Sequence, residues 1–359
     1  MVIVCIAALG GCSSVPASNR TPVAGQAATA APAGGPAWTE LNPGASPPAR
    51  GNASMAYDPA TSTMLLFSGG DQTGYLDDTW SWNGTTWIQL SPAASPPART
   101  GAPMAYDAAT GTVLLFGGMG LLTTGPPAYR GGYGGLSDTW SWNGTTWTKL
   151  SPASNPGADS LESDSMAYDP ATRTVLLFNS AECNSCGDQG QTWSWNGTTW
   201  TRLSPPASPP ASGGSSPMAY DQATKAVLLF DGGECNSCRQ DHTWSWNGTA
   251  WTRLSSPASP PASGGWSMAY DPATATVLLF GGTSTAWPAV VPLDETWSWS
   301  GTVWTRLSPA RSPLWSAGAS MAYDPGTKAL FLATDEEGDP DGQLNDTWIL
   351  TAPSRPSGH

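Results

Sequence analysis

Asp138-Thr139-Trp140-Ser141-Trp142-Asn143-Gly144-Thr145-Thr146-Trp147 holds the plan of the whole chain. Its alternation sets Trp140 and Trp142 on one face of a strand. Asn143-Gly144 predicts a type I′ hairpin turn, whose two central residues need positive φ, and Trp147 opens the returning strand. Upstream, Val113-Leu114-Leu115-Phe116 is the continuous apolar run expected of a strand covered on both faces. Further upstream, Met104-Ala105-Tyr106-Asp107 reads as another strand, its Asp placed to accept hydrogen bonds from amides of the next turn. Together these make four antiparallel strands, and Leu-Ser-Pro closes the unit.

The unit repeats. Met-Ala-Tyr-Asp begins at Met55, Met104, Met166, Met218, Met268 and Met321, at intervals of 49 to 62 residues. A repeat on this scale decides the architecture before any local structure. Six four-stranded sheets with large aromatics to fill the wedges between them predict an all-β, six-bladed β-propeller, with a linear solenoid as the alternative. The sixth unit runs through Asp346-Thr347-Trp348 to Leu350 without a fourth strand, and Ala37-Trp38-Thr39-Glu40-Leu41-Asn42-Pro43 copies the fourth-strand pattern of Thr146 to Pro152. The N-terminal strand is therefore expected to close the ring, leaving no open sheet edge. The propeller is assigned residues 37–350, with 351–359 as a tail.

Composition agrees with this class. Charged residues make up 11% of the 359, against 41 Gly and 34 Pro, which suits short strands and turns. A net charge of −13 with no basic stripe excludes nucleic acid as a partner and disfavours docking on anionic lipid. No stretch is apolar for long enough to span a bilayer.

Residues 1–11 form an uncharged apolar run, and Leu9-Gly10-Gly11-Cys12 resembles the bacterial lipobox. The resemblance implies a lipoprotein signal peptide, a mature chain beginning at lipidated Cys12, and an extracytoplasmic protein attached to the cell membrane through lipid only. Residues 12–36, rich in Ala, Pro, Gly and Ser, read as a flexible tether reaching on the order of 25 to 30 Å.

Gly-Gly after the second strand, the Trp-rich third strand and the Trp that opens the fourth resemble kelch repeats over residues 37 to 350. Kelch proteins include the galactose oxidase propeller and six-bladed sialic acid mutarotases, and other members scaffold protein binding. The resemblance implies the fold; function has to come from the site. A galactose-oxidase-type copper centre requires paired His and Tyr ligands, whereas this chain has only His242 and His359. No Gly-x-Ser-x-Gly elbow or His-Glu-x-x-His helix is present. No cofactor or metal is assigned and no residue is assigned as catalytic.

The site is sought in the two-to-three loops and blade links, which share one face and vary where the other turns are uniform. Of 20 Trp, 9 Tyr and 6 Phe, the repeat accounts for all but Tyr75, Tyr129, Tyr133, Trp266, Trp287 and Trp315. All six fall in those loops and links, where aromatic rings offer rigid contact area. The alternative is that some cap the ends of blades and that Trp266, two residues before Met268, already belongs to a strand. Candidate cations there are Arg50, Arg99, Arg130 and Arg239. The framework Trp residues are read as core. Glu182-Cys183-Asn184-Ser185-Cys186 and Glu234-Cys235-Asn236-Ser237-Cys238 point to two local disulfides, with zinc or redox chemistry as alternatives. The acidic run Asp335 to Gly342 reads as a solvated loop, with calcium binding the alternative. The expectation is a monomeric binding module for a carbohydrate or protein ligand, with a carbohydrate-active enzyme of mutarotase type as the alternative.

Overall fold

The computed structural model describes residues 36–122, 131–157, 164–180, 189–211, 216–232, 241–283, 293–313, 318–333 and 346–351, with backbone alone at 2–4, 13–15, 234–235, 238–239, 284 and 291–292. Every regular element among these is a strand. Val2–Val4 pairs with Ser13–Val15.

Among the described residues, six sheets have four antiparallel strands each. In the second, Met104–Asp107, Thr112–Phe116, Thr139–Trp142 and Trp147–Leu150 lie side by side in chain order. In the sixth, Ser320–Asp324, Ala329–Ala333 and Thr347–Thr351 take Ala37–Leu41 as their outer strand, with Trp38 opposite Leu350 and Glu40 opposite Trp348. The first strands touch in cyclic order, Ser54–Asp58 meeting both Met104–Asp107 and Ser320–Asp324, so the sheets stand as blades about an axis.

One joint between blades recurs. Trp147 packs on Phe67 of the preceding blade at 5.1 Å, and its indole N–H donates to Thr79 Oγ1 at 3.1 Å. Trp200 does the same with Phe116 at 5.4 Å and Thr139 at 3.0 Å. Trp38, from the N-terminal strand, does so with Phe280 at 5.2 Å and Thr296 at 3.0 Å. Trp87 of the first blade reaches Phe331 at 5.5 Å and Thr347 at 3.0 Å in the sixth. These Trp residues are buried, each ring contributing on the order of 3 kcal/mol by area. The indole N–H needs an acceptor in such a site, and the Thr that precedes the first Trp of the neighbouring blade's third strand supplies it.

Two expectations need correction. The Asn-Gly tips are not type I′ turns: Trp142 pairs with Trp147, leaving a four-residue loop in which Gly144, at φ 96, has positive φ and Asn143 does not. Asn143 acts through its side chain instead, Oδ1 accepting from the amides of Thr145 and Thr146 at 3.0 Å. Phe331 stands two residues earlier in its strand than the other five Phe, because Leu332 pairs with Met321 as Leu115 does with Met104. Two residues return to the same face of a strand, so Phe331 still meets Trp87.

The Asp that ends each first strand caps the following turn as expected. Asp58 Oδ1 accepts from the amide of Ala60 and Oδ2 from the Thr61 hydroxyl, both at 3.0 Å.

Candidate functional site

The blade links arrive where the first strands begin, and the two-to-three loops leave from the same end. The blades differ from one another at this end. Across the first two, an accessory ladder runs from Gly70–Asp71 to Gly74–Tyr75, through the bridge between Leu76 and Arg99, to Met119–Leu121 and Tyr133–Gly135. It brings the Tyr75 and Tyr133 rings, from adjacent blades, edge to face at 4.7 Å. Tyr133 is 60% exposed and its cross-strand partner Leu121 48%. In the fifth blade Thr276–Ser284 and Val291–Trp299 carry the hairpin on past the sheet, with an irregularity between Gly281 and Thr283. In the fourth, Glu234–Cys235 pairs with Cys238–Arg239, placing Cys235 opposite Cys238.

At the axis the same end opens into a pocket of about 210 Å³. Its wall is made by the residues that lead into the first strands: Asn52 to Met55, Gly101 to Met104, and their counterparts in the other blades, including Asp164 and Trp266. Three residues before the repeat's Met, the chain takes positive φ at Asn52 (52°), Gly101 (64°), Gly265 (76°) and Gly318 (89°). Glycine suits that turn, so Asn52 carries backbone strain at the pocket rim.

Three of the expected ligand residues are buried framework. Trp266 belongs to the strand Trp266–Asp271, is 4% exposed and meets Phe230 edge-on at 6.0 Å. Arg50 and Arg99 are 4% and 0% exposed. Arg99 donates to both oxygens of Asp138, at 2.8 and 3.1 Å, and to the carbonyl of Gly117. Arg50 engages Asp78 and the carbonyl of Ser68 in the same way. A bidentate pair in a desolvated place is a strong clamp, and here it fixes the links whose next residues line the pocket. Burial alone raises the Asp78 and Asp138 carboxyls, but the arginines, with the indoles of Trp80 and Trp140, outweigh it and hold both below the ordinary carboxylate range.

The fourth blade departs from this pattern. His242 stands where Asp78 and Asp138 do, and neither its Nδ1 nor the Trp244 indole N–H has a partner among the described residues. Desolvation, with the charge of Arg253, holds His242 below the usual imidazole range.

Tyr129, Trp287, Trp315, Arg130, Cys12, Cys183, Cys186 and the run 335–342 lie outside the described residues, and of Cys235, Cys238 and Arg239 only the backbone is described. No three His, Cys, Asp or Glu among the described residues are grouped to hold a metal. No helix among the described residues is long and apolar enough to cross a membrane. Sequence reasoning missed Asn52, whose only signal is that it replaces the Gly found at that position in three other repeats, and Asp164, which carries no repeat signal.

No family model matches the chain and no curated protein matches it in sequence. In three dimensions it is similar to the solved propeller reported as "Structure of YjhT", with a TM-score of 0.58 and 14% identity, over 86% of this chain and 95% of that one. At that identity the likeness speaks for fold alone, and the fold of this chain is a β-propeller.

Proposed function

We propose that the chain is a surface-displayed binding module that takes a carbohydrate or protein ligand on its loop face, held outside the cytoplasm by lipid on Cys12. The observation that carries this reading is the asymmetry of that face: a ladder that, among the described residues, spans only the first two blades sets Tyr75 against an exposed Tyr133. Exposed aromatic surface on a rigid support is suited to recognition. Display fits the topology, since Ala37 stands opposite Thr351, at the hairpin-tip end of its blade and away from the pocket. A tether leaving there turns the loop face outward. Local disulfides fit the register of Cys235 with Cys238. Binding is preferred to mutarotase-type catalysis because proton transfer needs an acid and a base, and Asp164 is the one ionisable side chain in the described pocket wall.

A glycan array probed with the full chain and with Tyr133→Ala tests the proposal. Saturable binding without turnover, weakened about tenfold or more in Tyr133→Ala at unchanged melting temperature, supports it. Product formation, or binding indifferent to both Tyr133→Ala and Leu121→Ala, overturns it.

A further inference from the structure

We propose that the fourth blade carries a carboxylate-binding site where its third strand, His242–Trp246, begins, separate from the Tyr75–Tyr133 pair and from the axial pocket. The other blades show what this place is built to hold. In four of them the side chain two residues before the first Trp of the third strand accepts that Trp's indole N–H. Asp78 accepts from Trp80 at 2.6 Å, Asp138 from Trp140 at 2.7 Å, Gln191 from Trp193 at 3.3 Å and Glu295 from Trp297 at 2.7 Å. In the fifth blade the same carboxylate also reaches a cation: Glu295 Oε1 lies 2.9 Å from Arg306, which stands opposite Trp297 across the ladder. One flat group with two oxygens thus spans an indole N–H and a guanidinium, a strong charge-assisted arrangement.

The fourth blade keeps both donors and has no carboxylate between them. Arg253 stands opposite Trp244 as Arg306 does opposite Trp297. It is exposed and makes no ion pair among the described residues. The Trp244 indole N–H is buried without a partner, and so is Nδ1 of His242, which takes the acceptor's position. A buried N–H left unpaired costs stability and calls for an explanation. The sixth blade shows that the orphaned N–H alone is not enough: Trp348 is unpaired too, but Glu40 faces it across the ladder and would repel an anion. Charge at the fourth blade favours one. Of the charges acting on the His242 imidazole, Arg253 outweighs Asp241, so the field there is positive. Asp231, opposite His242, is fully buried and already engaged. The His242 ring is partly exposed and its buried nitrogen is held by no hydrogen bond. Turning that ring outward admits a carboxylate between Trp244 and Arg253 without breaking a bond at that nitrogen.

Acetate and its uncharged isostere acetamide, titrated into the full chain and followed by the indole N–H resonances, test this. The Trp244 signal, identified by its loss in Trp244→Phe, should shift saturably with acetate and respond to acetamide about tenfold more weakly or not at all. Arg253→Gln should weaken acetate about fivefold or more. His242→Glu, which copies the fifth blade, should abolish the response by filling the site, and Glu295→Ala should open a second acetate site at Trp297. Equal responses to the two ligands, an acetate response that survives His242→Glu, or a Trp244 signal that acetate does not move overturns the proposal. If His242→Glu fails to fold, the other two variants still decide: acetate affinity unchanged in Arg253→Gln, or a silent Trp297 in Glu295→Ala, overturns it. Glycan-array binding sensitive to Tyr133→Ala would leave the loop-face reading standing in every case.

Discussion

Thr296→Val tests whether the N-terminal strand bears load. Thr296 is 1% exposed and accepts the indole N–H of Trp38 at 3.0 Å; Trp38 is 3% exposed. Valine keeps the shape and removes the acceptor. The loss combines one net hydrogen bond with the desolvation of an orphaned buried N–H, about 2 kcal/mol in all. Spread over the unfolding entropy of about 300 residues, this lowers the melting temperature by about 3 °C. Thr243→Val is the control, because Thr243 accepts from Trp304 at 2.8 Å in a joint that does not involve the N-terminal strand. Urea unfolding at unchanged m should place the two variants within about 0.5 kcal/mol of each other. Trp38→Ala should cost more, about 3 to 5 kcal/mol, because it empties a packed site against Phe280. A silent Thr296→Val beside a costly Thr243→Val would refute the reasoning, showing that Trp38 is not held as the other joint residues are.

Other measurements bear on the frame. Arg99→Met should cost about 3 kcal/mol in urea unfolding, by leaving the Asp138 carboxylate without its bidentate partner. Because Asp78 and Asp138 are held below the ordinary carboxylate range, their stabilisation is complete above that range and is lost as pH falls through the lowered values; a stability-pH curve should show Arg99→Met losing less on acidification than the parent. His242 is shifted down, so the unfolded chain binds its proton first and stability falls as pH drops through the usual imidazole range. His242→Gln should flatten that fall and offer Trp244 the kind of acceptor that Gln191 gives Trp193 at 3.3 Å. The turn after each first strand ends in positive φ, at Lys225 (58°) as at Gly111 (73°); calorimetric melting should show Gly111→Ala losing about 1 kcal/mol and Lys225→Gly gaining about half as much.

The repeat, the strands and the core aromatics were legible in the sequence because they follow from local pattern. Period-two alternation puts Trp140 and Trp142 on one face, and an apolar run such as Val113 to Phe116 has to be covered on both sides. The likeness of Ala37 to Pro43 to a fourth strand is likewise a comparison of short segments, and in the structure Ala37–Leu41 pairs with Thr347–Thr351. What only the tertiary structure decided are the partners. Trp38 and Thr296 are 258 residues apart and meet because blades are neighbours in a ring. Arg50 and Arg99 read as surface cations until Asp78 and Asp138, 28 and 39 residues away, are seen to face them. Tyr75 and Tyr133 come from different loops and touch only because a ladder spans two blades. Trp266 counted as a loop aromatic because the sequence does not mark where the fifth blade's first strand begins, and its burial depends on Gly232 and Gly282, which belong to two different blades. A local pattern fixes which face a side chain takes. What lies opposite that face depends on how the blades are set around the axis, and that is a property of the whole ring.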